Sequence, residues 1–364
     1  MSMHIIRKAR LGLAVPVVVA AVSVAGCGSN SNSSSSGSST PAGGTAPTAA
    51  KAPTVAYSGA ESTLPTSVAA PQPSTGKSLK IGWIPPTNQV PALASIQTIM
   101  QNQIKKLGGT LLVKDPQLAP DKQVSLFNEL LSQGVDAIVI YPIIPDVLAP
   151  SLKKAADKGV KVISLDTPPD ASKPPLAGYA MDISLGRDQS AYGLAKDLAA
   201  EKPGGSFGIL GLAAPIPSLN YTADREKYWA GKMGLKYVST SGAKDASSSS
   251  AATAMSGLLG RSPNLDGVFA YNDVGALAGI GTARSGGKNG IAFVGINGSK
   301  AAADAVKGGS YLATAKENWE CVGKNGINAA YNLVTKQNLP LPKRILCAST
   351  VIDKSNVNSI TPNA

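Results

Sequence analysis

The chain has 364 residues, 34 Lys+Arg against 22 Asp+Glu for a formal charge of +12, three cysteines and one histidine, His4. That length points to two domains plus extra segments, and 43% hydrophobic residues is enough for real cores. If the N-terminus is cleaved, imidazole chemistry leaves with His4, so a Ser-His-Asp triad, a Cys-His dyad and an HExxH zinc site are excluded. Three scattered cysteines make neither a four-cysteine zinc site nor an all-cysteine iron–sulfur cluster, and no metal or cofactor is expected.

Arg7, Lys8 and Arg10 form a basic region ahead of an apolar run of about fifteen residues, 11–25, interrupted by Pro16. The run is short for a membrane span and suits the core of a signal peptide. It ends Val24-Ala25-Gly26-Cys27, which resembles the lipobox of bacterial lipoproteins. The resemblance implies cleavage before Cys27 and lipidation of Cys27, hence an extracytoplasmic protein anchored to the bacterial cell membrane by more than one acyl chain. Residues 1–27 are then the signal peptide with its lipobox, and the net charge falls to about +9 as Arg7, Lys8 and Arg10 leave. Residues 28–78 are rich in Ser, Gly, Thr, Ala and Pro, a composition that cannot offset its ordering entropy, and are expected to be a disordered tether.

From residue 79 strand and helix patterns alternate. The first series reads strand 79–84, helix 92–107, strand 110–114, helix 121–133, strand 136–140, helix 147–158 and strand 161–165. A helix over 185–200 opens the second series. Strands are expected at 206–212, 237–240, 267–271, 291–296 and 311–315, with helices at 223–233, 247–259, 274–284 and 300–307. A longer helix over 318–336 and a strand over 344–351 close it. Such alternation builds parallel sheets with helices on both faces. Nine or more units predict an α/β chain of two doubly wound lobes; a single (β/α)8 barrel is the alternative.

Ligands of doubly wound sheets bind beyond the carboxyl ends of the strands. The polar residues expected there are Asn88, Asp166, Arg225, Asn272 with Asp273, Asn297 and Glu317. Each taken singly also suits a helix cap or a turn.

The body from residue 79 to the C-terminus resembles a type I periplasmic sugar-binding protein of the ribose/galactose-binding kind. The stretches Gln133-Gly134-Val135-Asp136-Ala137-Ile138, Gly267-Val268-Phe269-Ala270-Tyr271-Asn272-Asp273 and Phe293-Val294-Gly295-Ile296-Asn297-Gly298 carry the resemblance. It implies two lobes closing on a ligand about a three-strand hinge, with residues 79–181 and 318–344 in the first lobe and 182–317 and 345–364 in the second. It assigns ligand contact to Asn88, Asp166, Arg225 as the cross-cleft arginine, Asn272, Asn297 and Glu317. Two departures stand out: Asn297 replaces a common Asp, and Val90-Pro91 replaces a pair of stacking Phe residues. Trp83, Tyr221, Trp229, Tyr271 and Trp319 are the candidate replacement surface or, equally, core. The implied function is a solute-binding receptor of an ABC importer for a sugar or polyol, a monomer working with a permease and its ATPase. The alternatives are a sensor for a membrane signalling partner, or a receptor for an autoinducer-like furanose, a nucleoside or a small aromatic compound.

Competing motifs are weak. Gly204-Gly205-Ser206-Phe207-Gly208 matches G-x-S-x-G, but Ser206 opens a strand instead of following one. No Walker A loop and no DNA-binding helix-turn-helix is present, so neither ATP hydrolysis nor nucleic-acid binding is expected. With Cys27 lipidated, Cys321 and Cys347 form an even pair in an oxidising compartment, which favours a disulfide over two buried thiols.

Overall fold

The computed structural model describes residues 53–73, 78–337, 339 and 341–363. The signal peptide, Cys27 and residues 28–52 and 74–77 of the expected tether lie outside the described residues.

The chain runs β1 (Lys80–Ile84), α1 (Pro91–Lys106), β2 (Thr110–Val113), α2 (Pro120–Ser132), β3 (Ala137–Ile140), α3 (Ala149–Asp157), β4 (Lys161–Leu165) and β5 (Met181–Leu185). It continues α4 (Arg187–Glu201), β6 (Ser206–Leu212), α5 (Pro217–Lys232), β7 (Lys236–Ala243), α6 (Ser248–Arg261), β8 (Gly267–Ala270), α7 (Asp273–Ser285) and β9 (Ala292–Ile296). Last come α8 (Lys300–Lys307), β10 (Ala313–Lys316), α9 (Trp319–Thr335), β11 (Arg344–Cys347) and β12 (Thr350–Asp353).

Two six-stranded sheets result, ordered β11-β5-β4-β3-β1-β2 and β12-β10-β9-β8-β6-β7. Every pairing is parallel except β10 with β12. Two open sheets rule out the single barrel. Both sheet faces are covered, which is why their strands are nearly continuous in apolar residues. In the first lobe α1 and α9 bury Ile96, Met100 and Tyr331 on one face, while α2 and α3 bury Phe127, Leu130 and Leu152 on the other.

β5 and β11 shift the lobe boundaries. Both belong to the first sheet, so the chain crosses after Leu185, after Lys316 and after Cys347, not at 181 and 344. The expected strand 344–351 is two strands, one in each sheet. β5 went unread because Asp182 and Ser184 give it a polar pattern, although all five of its residues are buried. Asp182 is matched by Arg344 at the same register of β11, Nε to Oδ2 at 3.0 Å, and also accepts from Ser164, Ser184 and the Thr167 N–H. A buried charge is tolerated when it is paired and fully hydrogen-bonded.

Residues 53–73 do not behave as a free tether. Tyr57 packs on Tyr192 and Trp229 of the second lobe, and Val55 O accepts from Tyr192 Oη at 2.8 Å. Glu61 is 1% exposed, and its carboxylate accepts from the N–H groups of Asp188 and Gln189 at 2.9 and 3.0 Å. It thus supplies the N-terminal cap that α4 lacks from its own Gly186. Pro65 O then accepts from Leu346 N on the edge of the first sheet, and Val68 enters the first lobe's core, its N–H donating to Asn325. The segment is a strap touching both lobes. Composition concealed it because few of its residues are large and apolar; it docks mainly through backbone hydrogen bonds and one buried carboxylate. Glu61→Ala should lower unfolding free energy by about 1–3 kcal/mol, since one buried and one partly buried donor lose their acceptor. Chemical denaturation would check this, and an unchanged midpoint would mean that the strap is not docked in solution.

Candidate functional site

The carboxyl ends of both sheets face a cavity of about 70 Å³. Thr87, Val90, Leu93, Leu118 and Tyr141 line it from the first lobe, and Leu212, Ile216, Leu219, Tyr271, Asn272, Ile296 and Asn297 from the second. Arg187, Glu317 and Trp319, beside the crossings, complete the wall.

Arg187 is the centre of its charge. The side chain is 3% exposed; Nε donates to Asp166 Oδ2 at 2.9 Å and Nη2 to Tyr141 Oη at 2.8 Å. Nη1 lies 2.5 Å from Glu317 Oε1, a buried ion pair. Burial pushes the Glu317 carboxyl up to about 7; Arg187 pulls it down and Asp166 pushes it further up. Asp166, in the left-handed backbone region at φ 49°, also accepts from Leu185 N at 2.6 Å. Its carboxylate is therefore used in aiming Arg187.

Asn272 caps α7, its Oδ1 accepting from Gly275 N at 2.7 Å, which leaves its amide nitrogen for the cavity. Asp273 is structural, bonded by Thr314, Tyr311 and Ser299 N. Asn297 has φ 116°, held by Asn363, which donates to the backbone oxygens of Asn297 and Glu317 at 2.6 and 2.8 Å. Gly298 follows at φ 64°, and a Cβ there would run into Lys316, so only glycine closes this turn. Trp319 is 4% exposed with its Nε1 unpartnered, a flat apolar face carrying one free donor.

Asn272, Asn297, Glu317 and Trp319 thus come together as expected from the sequence, with Tyr271 beside them. Asn88 does not line the cavity; it sits half-buried between Thr87 and Val90, which do, with its Oδ1 enclosed and unpartnered. Asp166 stands behind Arg187. Trp83 is fully buried within β1, and Trp229 is buried with its Nε1 bonded to Asp188 at 2.6 Å. Tyr221 is half-buried on α5, close enough to Asp188 and Asp170 for their charges to act on it, and outside the cavity wall.

Arg225 is the main correction. It bonds Asp188 Oδ1 at 2.5 Å and lies 4.1 Å over the Tyr228 ring, away from the cavity. The reason is helix register: α5 begins at Pro217, not at 223, so Arg225 falls two turns into the helix instead of at its cleft-facing start. Arg187, not Arg225, lines the cavity. Arg187 was missed because 185–200 read as one helix; once β5 is recognised, Arg187 follows a strand end like the other candidates. Tyr141 follows β3 in the same way and was legible by that rule.

Tyr141 also joins the lobes. Its hydroxyl lies 2.6 Å from Ser218 Oγ on α5. Tyr141→Phe removes that bond and one acceptor of Arg187. It should weaken ligand affinity about tenfold and raise the radius of gyration in solution scattering, whereas unchanged values in both would show that the contact does not hold the lobes.

Among the described residues no group of three or more His, Cys, Asp or Glu could hold a metal, and no helix is long and apolar enough to cross a membrane. Ser206 is the first residue of β6, and its hydroxyl is taken up by Asp266 and Asn264 O, so the esterase pattern has no elbow. Cys321 and Cys347 are joined in a disulfide.

The family model described as a periplasmic binding protein domain matches residues 81–338. The ribose import binding protein of Bacillus subtilis is 27% identical over 259 residues, 71% of this chain and 82% of that protein. The xylitol-binding protein of Mycolicibacterium smegmatis is 26% identical over 217 residues, 58% of this chain and 60% of that one. Among solved structures, an ABC transporter solute-binding protein from Mycobacterium smegmatis with bound glycerol superposes with a TM-score of 0.71 at 24% identity, covering 79% of this chain and 98% of that one. Another from Burkholderia graminis, in complex with D-arabinose, gives 0.71 at 22% identity, covering 79% and 99%. These two show the shared fold. With two doubly wound lobes, a cleft at their crossings and a family match over most of its length, the chain belongs to the type I periplasmic binding proteins of ABC transporters.

Proposed function

We propose that this protein is a lipid-anchored extracytoplasmic receptor that captures a neutral sugar or polyol between its lobes and delivers it, as a monomer, to an ABC permease and its ATPase. Cys27 is the anchor, and residues 28–52 lead to the strap. The observation that carries the reading is the Arg187–Asp166–Glu317 group on the cleft wall, in which one fixed cation is balanced by buried carboxyls and three of its five N–H groups are taken by Asp166, Tyr141 and Glu317. A neutral ligand with adjacent hydroxyls bonds the remaining donors of Arg187 and lone pairs of Glu317 without adding charge to a buried site, and the site rejects analogues lacking a hydroxyl. Asn272 and Asn297 supply amide donors and acceptors, and Trp319 and Leu93 supply apolar faces for C–H surfaces. The ligands of the relatives, ribose and xylitol by name, are of this class.

Calorimetry or thermal shift against a panel of pentoses, hexoses, pentitols and hexitols, with organic acids and amines as the contrast, tests this. Binding within the neutral polyhydroxylated set is expected. A response confined to charged solutes would sink the reading.

A further inference from the structure

The second lobe holds another cavity of about 80 Å³ beside the main one. It lies between α5 and the ends of β6 and β7, and Leu212, Leu219, Tyr271 and Ile296 line both spaces. Glu226 forms part of its wall, 4% exposed, with no hydrogen bond or ion pair among the described residues. The Tyr271 hydroxyl, on the same wall, is buried and unpartnered. Buried polar groups normally find partners, and leaving a carboxyl without one costs several kcal/mol. Two such groups on one chamber, adjoining the ligand cavity, point to a partner that arrives with the ligand.

Burial pushes Glu226 up to about 8, against the pull of Lys227 and Arg187, so at neutral pH it is largely a protonated carboxyl that both donates and accepts. A hydroxyl has the same double capacity. An ammonium would have to be desolvated and to strip the proton from Glu226, and an alkyl arm would leave both groups unpaired.

We propose that this chamber is a subsite for the hydroxymethyl arm of a neutral ligand whose body occupies the main cavity, its hydroxyl bonded by Glu226 and Tyr271. The proposal rests on the sugar-or-polyol reading of the cleft. Calorimetry on matched pairs differing by that arm tests it: D-ribose with D-allose, D-xylose with D-glucose, L-arabinose with D-galactose. In at least one pair the hydroxymethyl member should bind about tenfold tighter or more to the wild type. Glu226→Leu should bring that ratio close to one. Tyr271→Phe, which deletes a single oxygen and carries little folding risk, should lower it in part, and Glu226→Gln should keep most of it. A ratio unchanged in both Glu226→Leu and Tyr271→Phe, a wild-type ratio near one in every pair, or tighter binding of the 6-amino analogue of the preferred hexose would overturn the subsite while leaving the cleft reading intact. Binding of no sugar at all would overturn the cleft reading and the subsite together.

Discussion

Arg187→Ala is expected to abolish ligand binding and to cost about 3–5 kcal/mol of stability. The magnitude is that of removing one partner from a buried ion pair, because Asp166 and Glu317 are then left in an apolar wall without their cation. Burial already pushes the Glu317 carboxyl up to about 7 with Arg187 in place. Without it, neutral acid replaces carboxylate, and the hydrogen-bond geometry offered to a hydroxyl changes with it. Arg187→Lys separates binding from folding. An ammonium keeps the charge but cannot reach Asp166, Tyr141 and Glu317 from one planar fork, so the fold should be largely retained while affinity falls at least tenfold. Calorimetry and urea unfolding on both variants check the two effects separately. Wild-type affinity in Arg187→Lys would show that the fork does not face the ligand.

The second large effect concerns Cys321 and Cys347. Their disulfide closes a loop of sequence separation 26, worth roughly 3–4 kcal/mol in the chain-entropy account. It ties the first turn of α9 to the last residue of β11, from which the chain leaves for the second lobe. Reduction, or Cys321→Ser with Cys347→Ser, should lower the unfolding free energy by that amount while leaving ligand affinity within about twofold, because neither cysteine lines the cavity. Mass spectrometry with and without alkylation establishes the pairing, and denaturation with and without reductant measures the loss. Equal midpoints in the two conditions would argue against a stabilising bridge.

The strap gives the lobes a fourth connection beside the three crossings. It caps α4 of the second lobe through Glu61, pairs with the β11 edge of the first sheet through Pro65, and buries Val68 in the first lobe. Its register follows from partners hundreds of positions away, so no local pattern announces it. A Ser-, Pro- and Ala-rich segment looks the same whether or not a sheet edge and an uncapped helix await it.

The sequence by itself determined the fold class, the alternation of strands and helices, the two-lobe organisation and the positions at strand ends where Asn272, Asn297 and Glu317 meet the cavity. The alternation and the strand-end positions follow from hydrophobic periodicity and from the rule that parallel strands present their carboxyl ends to ligands, both of which are local, while the choice of two lobes over one barrel leaned on the family resemblance. Only the tertiary structure decided where the lobes divide, which arginine enters the cleft and what residues 53–73 do. β5 carries Asp182 as a buried charge that makes sense only opposite Arg344, so its strand character is invisible until β11 is placed beside it. Arg187 lines the cavity and Arg225 does not because a helix begins at Pro217, and a shift of a few residues turns a side chain from one helix face to another. Polar residues are specified by partners distant in the chain, whereas apolar ones are specified by period, which is why the core was legible and the site only in part.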